Sequence, residues 1–325
     1  MCFAVVCVGV HRAYHTQGEK GVAKSTTCAF LKSLIDPSAT GNLFLSSDQR
    51  TLLVNLQQHW FLPFDNVSKV NDHTSDELCR AITGSGNQQR KLHTNDGDVI
   101  FKFRRCLAIN GISNTVTRPD LLDRSILIEM ERLSPDARRA ESEIGASFER
   151  DRAEIMGGIF DTLSKAMAIF PTVELDQLPR MADFAQWGYA IGEALGGLGR
   201  EFLDQYMDNI QKQNTEAVHS DPVATLIVAL MDGRKEWSGL VSELLIELRT
   251  MAALYGISVG SADFPKQPNG LSRRMSSLTS NLETFGIHYK NAGHQRHGTV
   301  VSLKRDLSSP SSHRHGPAGF IKKAS

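Results

Sequence analysis

The sequence predicts an α/β fold with helices on a mostly parallel sheet, followed by a helical segment and a small C-terminal module that ends in two strands. Three observations lead there. A glycine-rich turn opens a helix near residue 24, short apolar stretches alternate with helical ones up to about residue 130, and beyond residue 134 apolar residues recur at a helical spacing.

The elements follow in order. Helices are expected from Lys24 to Leu34 and from Gln49 to Gln57, and strands at Trp60 to Phe64, Val99 to Phe103, Cys106 to Ile109 and Ile126 to Met130. Ahead of the glycine-rich turn lies the apolar run Phe3 to Val10, and seven mostly polar residues, His11 to Gln17, separate it from Gly18. A strand that carries a phosphate loop normally runs straight into the first glycine. The expectation is therefore a shifted strand with an intervening loop, or a truncated or frame-altered start that lacks the central strand.

Ser134-Pro135 reads as a helix N-terminus with proline at the first position; Ile155, Ile159, Leu163 and Met167 continue it, and Pro171 ends it. Further helices are expected at Met181 to Ala194, Phe202 to Lys212 and Pro222 to Met231. Ser238 is read as the cap of a helix through Met251, and Asn269 as the cap of another through Phe285. Gly286 then leads into strands Ile287 to Tyr289 and Thr299 to Leu303, joined by the turn Asn291-Ala292-Gly293. Helix, helix, strand, turn, strand is the order of a winged-helix module. The expected division is a core over residues 1–133, a helical lid or linker over 134–235, the winged-helix-like module over 236–306 and a disordered Ser/Pro/His/Lys-rich tail over 307–325.

With 325 residues and 41% hydrophobic content, the chain can bury one large core or two modest ones. Its 36 basic and 36 acidic residues cancel, so no overall field marks a nucleic-acid or membrane binder. The charge is segregated instead: residues 129–216 carry 17 acidic against 9 basic side chains, and residues 261–325 carry 3 against 10. No apolar run approaches the roughly 18 residues of a membrane span, and residues 3–10 lack the basic start and cleavage site of a signal peptide. The five cysteines form no CxxC pair, which argues against a zinc site and a disulfide scaffold. A soluble protein of the reducing cytoplasm, away from membranes, is expected.

The sharpest motif is Gly18-Glu19-Lys20-Gly21-Val22-Ala23-Lys24-Ser25-Thr26, which matches the P-loop pattern except that Ala23 replaces the second glycine. Backbone N–H groups around Gly18, Gly21, Ala23 and Thr26 would converge on the phosphates of ATP, Lys24 would reach the β and γ phosphates, and the Ser25 hydroxyl would ligate Mg²⁺. Asp65, at the end of the stretch His59 to Phe64, has the placement of a Walker B carboxylate that holds Mg²⁺ through water. Asn110, at the end of the next strand, could orient the attacking water. Arg118 and Arg124 precede the following strand and suit an arginine finger offered to a neighbouring subunit. The bland alternatives are a chance glycine turn, an Asp-Asn turn, an Asn-Gly turn, and surface ion pairs with Asp120 and Asp123.

Taken together, GEKGVAKST, WFLPFDN, LCRAITGSGNQQRKLHTNDGDVIFKFRRCLAIN and TRPDLLDRSILIEM resemble the ATPase core of superfamily-3 helicases of the AAA+ class, and more closely the helicase-like ATP-binding proteins of phages, plasmids and integrative elements. The resemblance covers residues 18–133. It implies a P-loop core sheet, a Thr83-Gly84 segment, and a basic hairpin with an Asn95-Asp96-Gly97 turn whose Arg90 and Lys91 grip single-stranded DNA in the channel of a ring. More weakly, residues 237–301 are similar to the C-terminal part of such proteins, where Arg273, Arg274 and Arg296 would meet duplex DNA. One departure concerns chemistry: the family places an acidic residue after the Walker B Asp, whereas this chain has Asn66, which cannot act as a base. Glu77 or Asp76 would have to substitute, or turnover would be slow. The expected function is an ATP-hydrolysing, helicase-like motor on single-stranded or forked DNA, working as a homo-oligomeric ring in a mobile element. The alternative is a nucleotide-gated DNA-binding or assembly module with little or no hydrolysis, or an inactive remnant.

Overall fold

The computed structural model describes residues 12–84, 87–90, 98–101, 103–111, 115–261, 263–295 and 298–306. The chain divides into two compact units, residues 1–213 and 214–325.

The first unit is built on four parallel strands: β1 (Ala13–Gln17), β2 (Phe61–Phe64), β5 (Cys106–Asn110) and β6 (Ser125–Glu129), in the order β2-β5-β1-β6. This corrects the reading of the N-terminal region. Residues 13–17, taken from the sequence as part of a polar loop, form a central strand, and that strand runs directly into Gly18. A strand covered on both faces by helices is buried whatever its composition, so Ala13, Tyr14 and His15 are all inside. Burial pushes the His15 imidazole down to about 4. The apolar run at residues 3–10 lies outside the described residues.

Helices flank the sheet. The helices α1 (Lys24–Ile35) and α2 (Gln49–Gln58) lie close to expectation, and Asp48 caps α2 by accepting from Thr51 N at 2.8 Å. Helix α3 (Asp72–Thr83) was not read from the sequence; Asn71 caps its start and Gly84, at φ 83°, ends it in the left-handed conformation. Strands β3 (Asn87–Arg90) and β4 (Asp98–Phe101) form their own antiparallel ribbon, so the stretch from Val99 does not join the core sheet. At the start of β2, the buried Lys32 ammonium holds Asp36 at 2.5 Å and the Phe61 carbonyl at 2.8 Å, fixing strand to helix.

After the short α4 (Pro119–Leu122) and β6, Ser134-Pro135 gives only a 3₁₀ turn; the long α5 (Glu141–Ile169) begins at its own cap, Ala140. Helices α5, α6 (Ala182–Ala194) and α7 (Gly199–Ser220) share a core of Ile159, Ala166, Phe184, Ile191 and Tyr206, against which Leu31, Leu34 and Ile126 pack. Much of the segment expected as a helical lid or linker therefore packs within the first unit. Arg12, fully buried, joins β1 to these helices: it donates to the Tyr206 hydroxyl, and its guanidinium lies 4.5 Å from the Phe184 ring centre. On edge strand β6, the Asn209 side chain takes the place of a strand, accepting from Leu127 N at 3.0 Å and donating to Leu127 O at 2.7 Å.

The second unit contains α8 (Pro222–Leu230), β7 (Glu236–Leu240), α9 (Val241–Ala252), α10 (Pro268–Glu283), β8 (Ile287–Gln295) and β9 (Gly298–Arg305), with an antiparallel sheet ordered β7-β9-β8. Ser238 lies inside β7 and caps no helix; Leu240 occupies that position. Gln267, not Asn269, precedes α10. The strands run longer than expected because Asn291-Ala292-Gly293 is a bulge within β8, and the reversal falls after Gln295, which pairs with Gly298. Apolar faces of α8, α9, α10 and the sheet bury Leu226, Leu244, Leu248, Leu278, Ile287 and Leu303 in one core.

Candidate phosphate-binding site

The loop between β1 and α1 sits at the C-terminal edge of the parallel sheet, where the first-turn N–H groups of α1 have no partner within the helix. Gly18 is required there: its φ is 150°, and a Cβ would lie 2.6 Å from the Met130 carbonyl oxygen, at the end of the neighbouring β6. Gly21 is at φ 82°. Ala23 takes φ 62° and ψ 24° immediately before the helix, a left-handed conformation that costs a Cβ-bearing residue about 1 kcal/mol. The Lys24 Nζ folds back onto the loop, donating to Gly18 O at 2.7 Å and Glu19 O at 2.8 Å.

Three of the residues singled out in the sequence meet at this edge. Ser25 Oγ donates to Asp65 Oδ1 at 2.9 Å, Asn110 Nδ2 reaches the same oxygen at 2.5 Å, and Asn110 Nδ2 lies 3.2 Å from Ser25 Oγ. The register explains the convergence: β2 and β5 pair in parallel with Phe64 opposite Ile109, so Asp65 and Asn110 emerge side by side. Asn66 follows in a left-handed turn at φ 51°, its N–H donating to Asp65 Oδ1 at 2.8 Å and its side chain exposed.

A fourth residue, which the sequence reading missed, completes the group. Asn42 Nδ2 donates to Ser25 O at 2.9 Å and lies 3.4 Å from Asp65 Oδ2. It lies in the connection between α1 and α2, where no local motif flags it; only the parallel bridge between Leu43 and Phe64 brings it in. Its Oδ1 is buried without a partner, a state that typically costs about 1–3 kcal/mol. The first turn of α1, Asn42 and Glu141 border a shared recess.

Other predicted residues stand apart. Glu77 is buried and bound to Gln49 at 3.0 Å and Arg80 at 2.8 Å, while Asp76 faces Arg118 at 3.2 Å, so neither is seen to replace the acid missing at position 66. Arg118 also lies 3.5 Å from Asp72. Arg124 is bonded to the Asp120 carboxylate and, at 2.7 Å, to its backbone carbonyl, leaving its side chain 14% exposed. Burial would raise the Asp120 carboxyl, but hydrogen bonds from Arg124 and Cys79 outweigh it and hold the group below the usual range. Arg90 is the last residue of β3, paired with Asp98, whereas Lys91, the Asn95-Asp96-Gly97 turn and Arg296 lie outside the described residues. In the second unit Arg273 is exposed, but Arg274 is engaged, its guanidinium 2.5 Å from the buried Asp221 carboxylate that caps α8. No group of three or more His, Cys, Asp or Glu suited to a metal occurs among the described residues, and no helix there is long and apolar enough to cross a membrane.

The class this fold defines is a mixed α/β protein on a parallel sheet, with a glycine-rich loop at the sheet's C-terminal edge. The chain belongs to the family of actinomycete integrative conjugative element replication proteins, whose profile matches residues 2–212; the profile of the AICE RepA C-terminal domain matches residues 223–312. It is thus a replication protein of a mobile element. The first match runs through residues 13–17, the stretch that forms β1. None of the curated proteins matches. Similar solved structures include JCV helicase with a substituted phenylacetamide compound bound (12% identity, 64% of this chain and 54% of that one, TM-score 0.31). The apo C-terminal region of NrS-1 is another (13%, 94% and 71%, 0.41), as is a putative ATPase from Cytophaga hutchinsonii (12%, 64% and 78%, 0.33). The chain spans about half the length of the JCV helicase chain.

Proposed function

We propose that this replication protein binds and hydrolyses ATP and acts on DNA as a helicase-like motor. The observation that carries the reading is the meeting of Ser25, Asp65 and Asn110 beside a glycine-rich loop that presents Lys24. The hydroxyl and carboxylate are hard oxygen donors of the kind that suit Mg²⁺, and the loop geometry suits phosphates. When bound, Mg²⁺ would neutralise charge on the β and γ phosphates. Lys24 would exchange the carbonyls of Gly18 and Glu19 for phosphate oxygens, Ser25 and Asp65 would hold the metal, and Asn110 would orient the γ-phosphate or water. Arg124, or Arg118, would serve the site of the next subunit in a homo-oligomeric ring after releasing its own acidic partner.

DNA is assigned to two places. The β3–β4 ribbon would carry Arg90 and Lys91 to single-stranded DNA, tracking phosphates without sequence preference. The second unit has the order helix, strand, helix, helix, strand, strand with a three-stranded antiparallel sheet, which supports a winged-helix reading; Arg273 on α10 and Arg296, which follows β8 in the sequence, would then be the residues that meet duplex DNA.

A second reading, a nucleotide-gated DNA-binding module with little hydrolysis, draws on a specific observation. The residue after Asp65 is an exposed amide, and Glu77 and Asp76 are engaged elsewhere. ATPase measurements with and without single-stranded DNA separate the two. The motor reading expects DNA-stimulated turnover that Lys24→Ala abolishes; ATP binding without stimulated turnover selects the second reading, and no ATP binding rejects both.

A further inference from the structure

Asn42 is held in place by backbone pairing. Leu43 N donates to Pro63 O at 2.7 Å and Asp65 N donates to Leu43 O at 2.9 Å, so the chain before α2 is stitched to the end of β2. The amide orientation then follows from chemistry: both neighbours of Nδ2, Ser25 O and Asp65 Oδ2, are acceptors, so the nitrogen must face them. Oδ1 points away from both, buried and without a donor, in a side chain that borders the recess at Ser25 and Thr26. A buried acceptor kept without a partner next to a polar cluster marks a place for a water or a ligand group. Among the described residues, the side chains bonded to Asp65 are a hydroxyl and two amides, with no second carboxylate.

We propose that Asn42 is a positioning residue of the nucleotide site, its Oδ1 accepting a hydrogen bond from a water in the shell of the Mg²⁺ that Ser25 and Asp65 would hold. This rests on the nucleotide-binding reading above. An amide carbonyl can orient such a water without taking its proton, which is what a site without a base after Asp65 requires. Nδ2 ties the Ser25 backbone to the Asp65 carboxylate, which leaves Oδ1 as the polar atom free to accept from the metal's water, so one side chain would couple loop geometry to metal.

The test uses the full chain and a fluorescent ATP analogue, titrated in Mg²⁺ and again in EDTA, with thermal unfolding of the free protein alongside. Asn42→Ala is expected to weaken binding about tenfold in Mg²⁺ and less than twofold in EDTA, the range seen when groups around a metal's ligands are removed. Asn42→Asp keeps an acceptor at Oδ1 but loses the Nδ2 donor to Ser25 O and Asp65 Oδ2, so it is expected to bind more weakly than the unaltered protein while retaining tighter binding in Mg²⁺ than in EDTA. Equal losses with and without metal, or no loss at all, would overturn the proposal, as would an Asn42→Asp variant without metal preference. Should Asn42→Ala not fold, the aspartate variant alone decides. If the unaltered protein binds the analogue no better with Mg²⁺ than without, the nucleotide reading fails and the proposal with it; intact Mg²⁺-dependent binding that ignores position 42 rejects the proposal only.

Discussion

Ala23 stands where the P-loop pattern has glycine, and it occupies the backbone conformation that glycine would adopt most easily, φ 62° and ψ 24°. The strain implies that Ala23→Gly stabilises the first unit by about 1 kcal/mol, read as a higher denaturant midpoint at unchanged slope. His15 offers a second test. Its folded-state pKa of about 4 lies below the ordinary 6.5, so the unfolded chain binds the proton first. The stability from burying a neutral imidazole is complete above about pH 6.5 and is lost as pH falls toward 4, by on the order of 3 kcal/mol. Urea midpoints between pH 7 and pH 5 should therefore fall less for His15→Gln than for the unaltered protein. Equal slopes would contradict the assignment.

Among the elements, side chains that replace backbone partners stand out. In the second unit Arg274 neutralises Asp221, a buried cap of α8, so Arg274→Ala should destabilise by about 1–3 kcal/mol, since its guanidinium is partly exposed. Arg273→Ala should leave stability unchanged and, under the DNA-binding reading, weaken duplex binding and lower its salt dependence. Thermal unfolding together with binding titrations separates the two arginines, which the sequence presents as equivalent. The same scale shows what the sequence could carry. The loop from Gly18 to Thr26, the end of β2 at Asp65 and the end of β5 at Asn110 were legible because local patterns mark them. Strand β1 was not, because a buried central strand needs no alternation and Ala-Tyr-His-Thr-Gln reads as polar. Asn42 was illegible for another reason: its position depends on a pairing between residues 43 and 64. Ser238 and the bulge at Asn291-Ala292-Gly293 misled because good cap and turn residues also occur inside strands when tertiary pairing wins.

At the scale of the whole molecule, the ring reading is tested by mixing. Subunits carrying Lys24→Ala and subunits carrying Arg124→Ala, each inactive alone, should regain ATPase activity on mixing if Arg124 serves a neighbour. No recovery between exchanging subunits would return Arg124 to a structural role beside Asp120.

Both outer strands of the parallel sheet are covered: β6 by the Asn209 amide and β2 by the backbone of Leu43. Flanks occupied in this way leave fewer backbone groups for pairing with a strand of another molecule, which lowers the tendency of this sheet to recruit one. Uncapping one flank by Asn209→Ala should then show as turbidity on concentration, in addition to any loss of stability.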